Sequence, residues 1–149
     1  MEVQKRVGIT INLDFDGTVV SHEFPKVGND IGSVPVLKRL VNAGHQLILF
    51  TMRSDKKDRK PSSDPNIIDV DGQFLTEAIE WFKENDIPLW GIQTNPDQKI
   101  WTDSPKSYAE LMIDDTGLNI PLKHDLSISK RPFVDWNAVE VWLEDKGII

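Results

Sequence analysis

The sequence predicts an α/β domain built on a mostly parallel sheet. Three observations predict it. Short apolar runs with strand character alternate with helical patterns along the chain. Those runs lead into chemically loaded polar residues at Asp14, Thr51 and Asp114-Asp115. The 149 residues, 39% of them hydrophobic and 28% charged, suit one domain over 1–149 with a single core. In such sheets ligands sit beyond the carboxyl ends of the strands, which is where these polar residues fall.

The elements follow in order. Val7 to Leu13 alternates and is rich in β-branched residues, so it reads as a strand ending at Asp14. Gly17 to Val20 and the later Pro25…Gly28 suggest a tight loop or small hairpin flap. Val34 to Ala43 reads as a helix, with Val34, Leu37, Leu40 and Val41 on one face and Gly44 as its stop. Gln46 to Phe50 is a continuously apolar, buried strand, and 53–66 a polar loop. Phe74 to Asn85 is an amphipathic helix with Phe74, Ala78 and Phe82 on its stripe, widened by Leu75 and Ile79. Pro88 to Gln93 is a third strand, 94–107 a second polar loop, and Tyr108 to Ile113 a fourth strand. Leu118 to Leu122 offers a fifth. Asp135 caps a last helix with Val139, Trp142 and Leu143 facing inward. The stretch 123–134 carries no readable pattern.

Composition removes several classes of chemistry. Cysteine is absent, which excludes disulfides, thiolate metal sites and thiol catalysis. No apolar run reaches membrane-span length, and the N-terminal apolar stretch is short and broken by Asn12, so no membrane partner and a cytoplasmic location are expected. The net charge of −7 argues against nucleic acid as a partner. Lys56, Lys57, Arg59 and Lys60 run against that balance. They read as a solvated loop or as a patch holding an anionic substrate.

The chemistry concentrates in Asp14-Phe15-Asp16-Gly17-Thr18 and Asp114-Asp115. If the first and fourth strands are neighbours, these carboxylates converge. Two like charges about 4 Å apart repel by roughly 4 kcal/mol at an effective dielectric near 20, so such a cluster needs a cation or shifted pKa values. An all-oxygen donor set favours magnesium. A calcium-binding EF-hand loop does not fit, because its glycine and glutamate positions hold Val19 and Pro25. His22, His45 and His124 are scattered and read as structural or surface residues. Thr51, at a strand end, and Lys106, just before the fourth strand, are candidates to hold a phosphoryl group, with Lys99 competing for the lysine role.

The order Asp14-x-Asp16-x-Thr18, strand-end Thr51, a downstream lysine and a strand-end Asp pair resembles the four motifs of the haloacid dehalogenase-like hydrolase superfamily. The likeness runs from about Val7 to Asp115, and the finer pattern is similar to small bacterial and phage members. The resemblance implies a Rossmann-like three-layer sandwich and phosphoryl transfer through an aspartyl phosphate. Asp14 would be the nucleophile and Asp16 the acid–base partner. Mg2+ would be held by Asp14, the Asp16 backbone carbonyl, Asp115 and Asp114. Thr51 and Lys106 would bind the phosphoryl group. Asp16 with Thr18 is the phosphatase form of the motif.

The spacings leave no room for a cap domain. An open site suits a bulky phosphorylated substrate, or a small one closed in by a partner subunit of a homo-oligomer. Glu23, Lys26 and Arg53 are candidates to border the pocket, Arg53 as a forked clamp on phosphate. Trp81 and Trp142 read as core, and Trp101 sits in a polar loop ahead of Lys106, with a rim role as the alternative to a structural one. The leading expectation is hydrolysis of a small phosphorylated metabolite or sugar. The alternatives are end-processing of nucleic acid or phosphoprotein, and a noncatalytic module that keeps the fold.

Overall fold

The structure, a computed structural model, describes residues 8–55, 62–67 and 70–149. The elements in order are β1 (Thr10–Leu13), α1 (Ser33–Asn42), β2 (Gln46–Leu49), α2 (Phe74–Glu84), β3 (Gly91–Ile92), β4 (Leu111–Ile113), β5 (Leu122–Lys123), β6 (Phe133–Val134) and α3 (Trp136–Asp145), with a 3₁₀ turn at Gln98–Ile100. β1 to β4 form one sheet in the order β3-β2-β1-β4, and all three pairings are parallel. This is the α/β architecture expected from the sequence. β1 is central, and β4 is its neighbour on the side away from β2, which sets the two acidic strand ends side by side.

Side-chain alternation along a strand explains the layers. Ile11, Leu13, Leu47, Leu49 and Ile113 are in register and buried, and they share one core with Leu37, Leu40, Ala78, Phe82, Val139 and Leu143 from the three helices. Burying each of the Leu, Ile, Val and Phe side chains is worth about 1.5–3 kcal/mol. The alternate position Asn12 meets the 94–110 connection instead. Its amide donates to Ser107 O at 2.9 Å, and Ser107 Oγ donates back to Asn12 Oδ1 at 3.0 Å. The layer on that face is therefore a polar connection with one 3₁₀ turn. Among the described residues no cap domain stands over the sheet.

Each helix ends in the same hydrogen-bonded turn, which brings the chain back into the core. After α1, Gly44 N donates to Val41 O and His45 N to Leu40 O. Asp86 and Ile87 repeat the pattern after α2, as do Gly147 and Ile148 after α3. His45 is then buried: Ile9 N donates to its Nδ1 at 3.0 Å, so its Nε2 carries the proton and donates to Ile148 O at 2.7 Å. This agrees with the structural role read for it.

Two expectations are corrected. Leu118 to Leu122 does not extend the sheet; β5 pairs antiparallel with β6, from a segment that carried no readable pattern. Trp142 is not inward: Val139 and Leu143 take the buried stripe and Trp142 is 44% exposed. No described helix is long and apolar enough to cross a membrane.

Candidate metal and phosphate site

The carboxyl edge of the sheet is tied together by backbone before any side chain acts. Asp14 N donates to Ile113 O at 3.0 Å and Phe50 N to Leu13 O at 2.9 Å, so the ends of β4, β1 and β2 advance in step. Beyond β3, Gln93 clamps the β2 end: Thr51 N donates to Gln93 Oε1 at 2.9 Å, and Gln93 Nε2 donates to Thr51 O at 2.7 Å.

Asp14, Asp114 and Asp115 each present a carboxylate oxygen within 4.8 Å of the others. Thr18 bridges the two strand ends. Its hydroxyl donates to Asp14 Oδ2 at 2.7 Å and accepts from Asp115 N at 2.9 Å. Trp136 Nε1 fixes the same residue by donating to Thr18 O at 2.7 Å. Gly17 has φ +81°, and a Cβ there would crowd the Asp115 carboxylate, so any other residue in this turn is strained. Asp114 Oδ1 accepts from Thr116 N and Thr116 Oγ1, at 2.9 and 2.8 Å.

The cluster is electrostatically costly as it stands. Burial raises the Asp14 carboxyl to about 8; the Thr18 hydrogen bond opposes the rise and the Asp114 charge adds to it. Asp115 also shifts upward, first through burial. Three hard oxygen donors that are hard to ionise together fit a divalent cation such as Mg2+.

Asp16 turns away from this cluster. Arg53 Nε donates to Asp16 Oδ2 and Arg53 Nη2 to Asp16 Oδ1, both at 2.8 Å. Arg53 also donates to Lys26 O at 2.7 Å and to Phe74 O at 3.3 Å, and its guanidinium lies 5.1 Å from the ring centres of both Phe15 and Phe24. This corrects the expected phosphate clamp: Arg53 is 3% exposed, its fork is spent on Asp16, and it does not line the cavity.

That cavity holds about 510 Å³ over the sheet edge. Asp14, Asp16, Thr51, Asp114 and Asp115 all line it. Thr51 Oγ1 accepts from Arg53 N at 3.1 Å, which leaves its hydroxyl hydrogen as a donor. Phe24, Met52, Val70 and Phe74 add apolar lining.

Lys106 is not brought in. It is exposed and lines a separate depression with Trp101, Ser104 and Tyr108, while Lys99 is exposed on the 3₁₀ turn. Its backbone is nevertheless anchored, since Lys106 O accepts from Gln98 Nε2 at 2.9 Å and the next residue is locked onto Asn12. Trp101 stacks edge-on against Tyr108 away from the cavity, so it is not a rim residue. Glu23 and Lys26 do not line the cavity either. Glu23 Oε1 accepts from Ser129 Oγ at 2.7 Å, and Lys26 contributes its carbonyl to Arg53. Lys56, Lys57, Arg59 and Lys60 lie outside the described residues.

The chain is similar to a solved structure. It is that of a conserved protein from Bacteroides thetaiotaomicron, at 28% identity over 93% of this chain and 92% of that one, with a TM-score of 0.66. No family model and no curated protein matches the chain.

The sequence reading missed His22, Gln93 and Arg131. His22 lines the cavity, and Arg131 reaches it from the opaque segment. Neither belongs to a periodic pattern. Gln93 has φ 66°, a conformation uncommon for a residue other than glycine.

Proposed function

We propose that the chain is a magnesium-dependent phosphomonoester hydrolase that works through an aspartyl phosphate on Asp14. The observation that carries the reading is the meeting of Asp14, Asp114 and Asp115 within 4.8 Å, in a cavity that also holds Asp16 and Thr51. The resemblance of these residues to the haloacid dehalogenase-like motifs supports it.

The carboxylates of Asp14, Asp115 and Asp114 and the backbone carbonyl of Asp16 would hold the cation. A bound divalent ion favours the ionised form of Asp14 and screens its approach to an anionic phosphate. Asp14 Oδ attacks phosphorus and the ester oxygen leaves. Asp16 gives that oxygen a proton, then takes one from the water that cleaves the phosphoaspartate. The Arg53 fork uses about two of the four lone-pair sites of Asp16, and the rest remain for this exchange. Thr51 donates its hydroxyl to a phosphoryl oxygen.

The substrate is a phosphorylated small molecule with its phosphate beside the carboxylate cluster in the cavity. The test is a panel of phosphorylated metabolites with Mg2+, with the Asp14→Asn protein as blank. Phosphate release above that blank is the expected result. Release equal to the blank across sugar, nucleotide and carboxylate phosphates would count against the reading.

A further inference from the structure

We infer that Arg131, presented beside His22 on the cavity wall, forms an anion subsite that selects phosphomonoesters whose leaving group carries its own negative charge. The inference rests on the hydrolase reading and adds a substrate class to it.

The wall is built by two segments that the sequence leaves far apart. Asn29 Nδ2 donates to Ile128 O at 2.8 Å, and Ser129 Oγ donates to Glu23 Oε1 at 2.7 Å, so 125–131 is docked on the flap that follows Asp16. Ser129 is buried, and its Oγ also accepts from Arg131 N at 3.3 Å. Two residues on, Phe133 and Val134 are buried, and Val134 N donates to Gly17 O at 3.0 Å. Arg131 is therefore held on one side by the flap, through Glu23 and Asn29, and on the other by the turn that carries the acidic motif, through Gly17.

Its side chain is cationic. Among the described residues no ion pair joins Arg131, although the chain carries 24 acidic residues. Its described side-chain neighbour is the His22 ring, at 3.4 Å from Nη1, and both residues line the cavity. A planar guanidinium with free donors matches a carboxylate or phosphate. Depth decides which part of the substrate it meets. Asp14 is half-buried on the floor, where the reacting phosphoryl group must sit, whereas Arg131 is exposed at the mouth, where the leaving group projects.

The test compares phenyl phosphate with 4-carboxyphenyl phosphate, both with Mg2+, in the wild type and in Arg131→Gln. Thermal unfolding of both proteins checks the fold. The wild type is expected to prefer the carboxylated ester in kcat/KM, and Arg131→Gln to lower that preference by about tenfold to a hundredfold, the range for a charged hydrogen bond. An unchanged preference, or an equal loss on both esters, would overturn the subsite. If neither ester turns over, the hydrolase reading fails separately. The subsite is then read by isothermal titration of phenylphosphonate against 4-carboxyphenylphosphonate. Tighter binding of the latter that Arg131→Gln removes supports it, and equal binding overturns it.

Discussion

Arg53 holds Asp16 by two parallel hydrogen bonds of 2.8 Å, and does so from a nearly sealed position between Phe15 and Phe24. The motif residue beside the acid cluster is thus oriented by a cation from the end of β2. Breaking a buried ion pair on one side is costly, because the remaining charge is stranded.

Arg53→Met should therefore destabilise the fold by about 3 kcal/mol, toward the lower end for buried pairs because Asp16 keeps some exposure. Urea denaturation measures this, and a cost below about 1 kcal/mol would show that the pair does not anchor the loop. Arg53→Lys keeps the charge without the fork. It should lower kcat about tenfold to a hundredfold with little change in KM, since Asp16 loses its fixed orientation.

Gly17→Ala puts a methyl group where the Asp115 carboxylate lies, at a φ of +81°. The expected cost is about 1–3 kcal/mol of stability, with weakened Mg2+ binding by isothermal titration. Wild-type Mg2+ affinity in this variant would mean that Asp115 is not a ligand in the form described.

Stability should depend on pH in a direction set by Asp14. Its carboxyl sits near 3.8 unfolded and about 8 folded, so between these values the metal-free native state binds the extra proton. The native state then holds more protons than the unfolded one, and stability falls as pH rises through that window, levelling off above about 8. In EDTA, the urea midpoint should drop between about pH 5 and about pH 8. Asp14→Asn should flatten most of that slope, and Mg2+ should offset it. A midpoint that rises over the same range would contradict the burial of Asp14.

The sheet was legible because its strands are apolar and its helices periodic. Ile11, Leu13, Leu47 and Leu49 read as buried and are buried. The convergence of Asp14 with Asp114 and Asp115 followed once β1 and β4 were taken as neighbours. What escaped depends on contacts between distant loops. Arg53 reads as a solvent-facing clamp in sequence, and only the meeting of Phe15, Phe24 and Asp16 draws it inward. β5 and β6 have two residues each, too few to show alternation, so Arg131 had no element to sit on. Trp142 neighbours a buried stripe without belonging to it.

Asp16→Asn keeps the shape but removes the acid–base group. Turnover should fall by about 10²–10⁴. Steady-state kinetics with an aryl phosphate measures it, and a rate near wild type would take Asp16 out of the chemistry.

The account depends most on the three carboxylates acting as one cation-binding nucleophilic centre. The direct measurement is aryl phosphate hydrolysis by metal-stripped protein before and after Mg2+ is added, beside Asp14→Asn under the same conditions. The account predicts no turnover in EDTA, restoration by Mg2+, and silence from Asp14→Asn with or without the ion. Turnover that survives EDTA, or that survives the loss of Asp14, would contradict it.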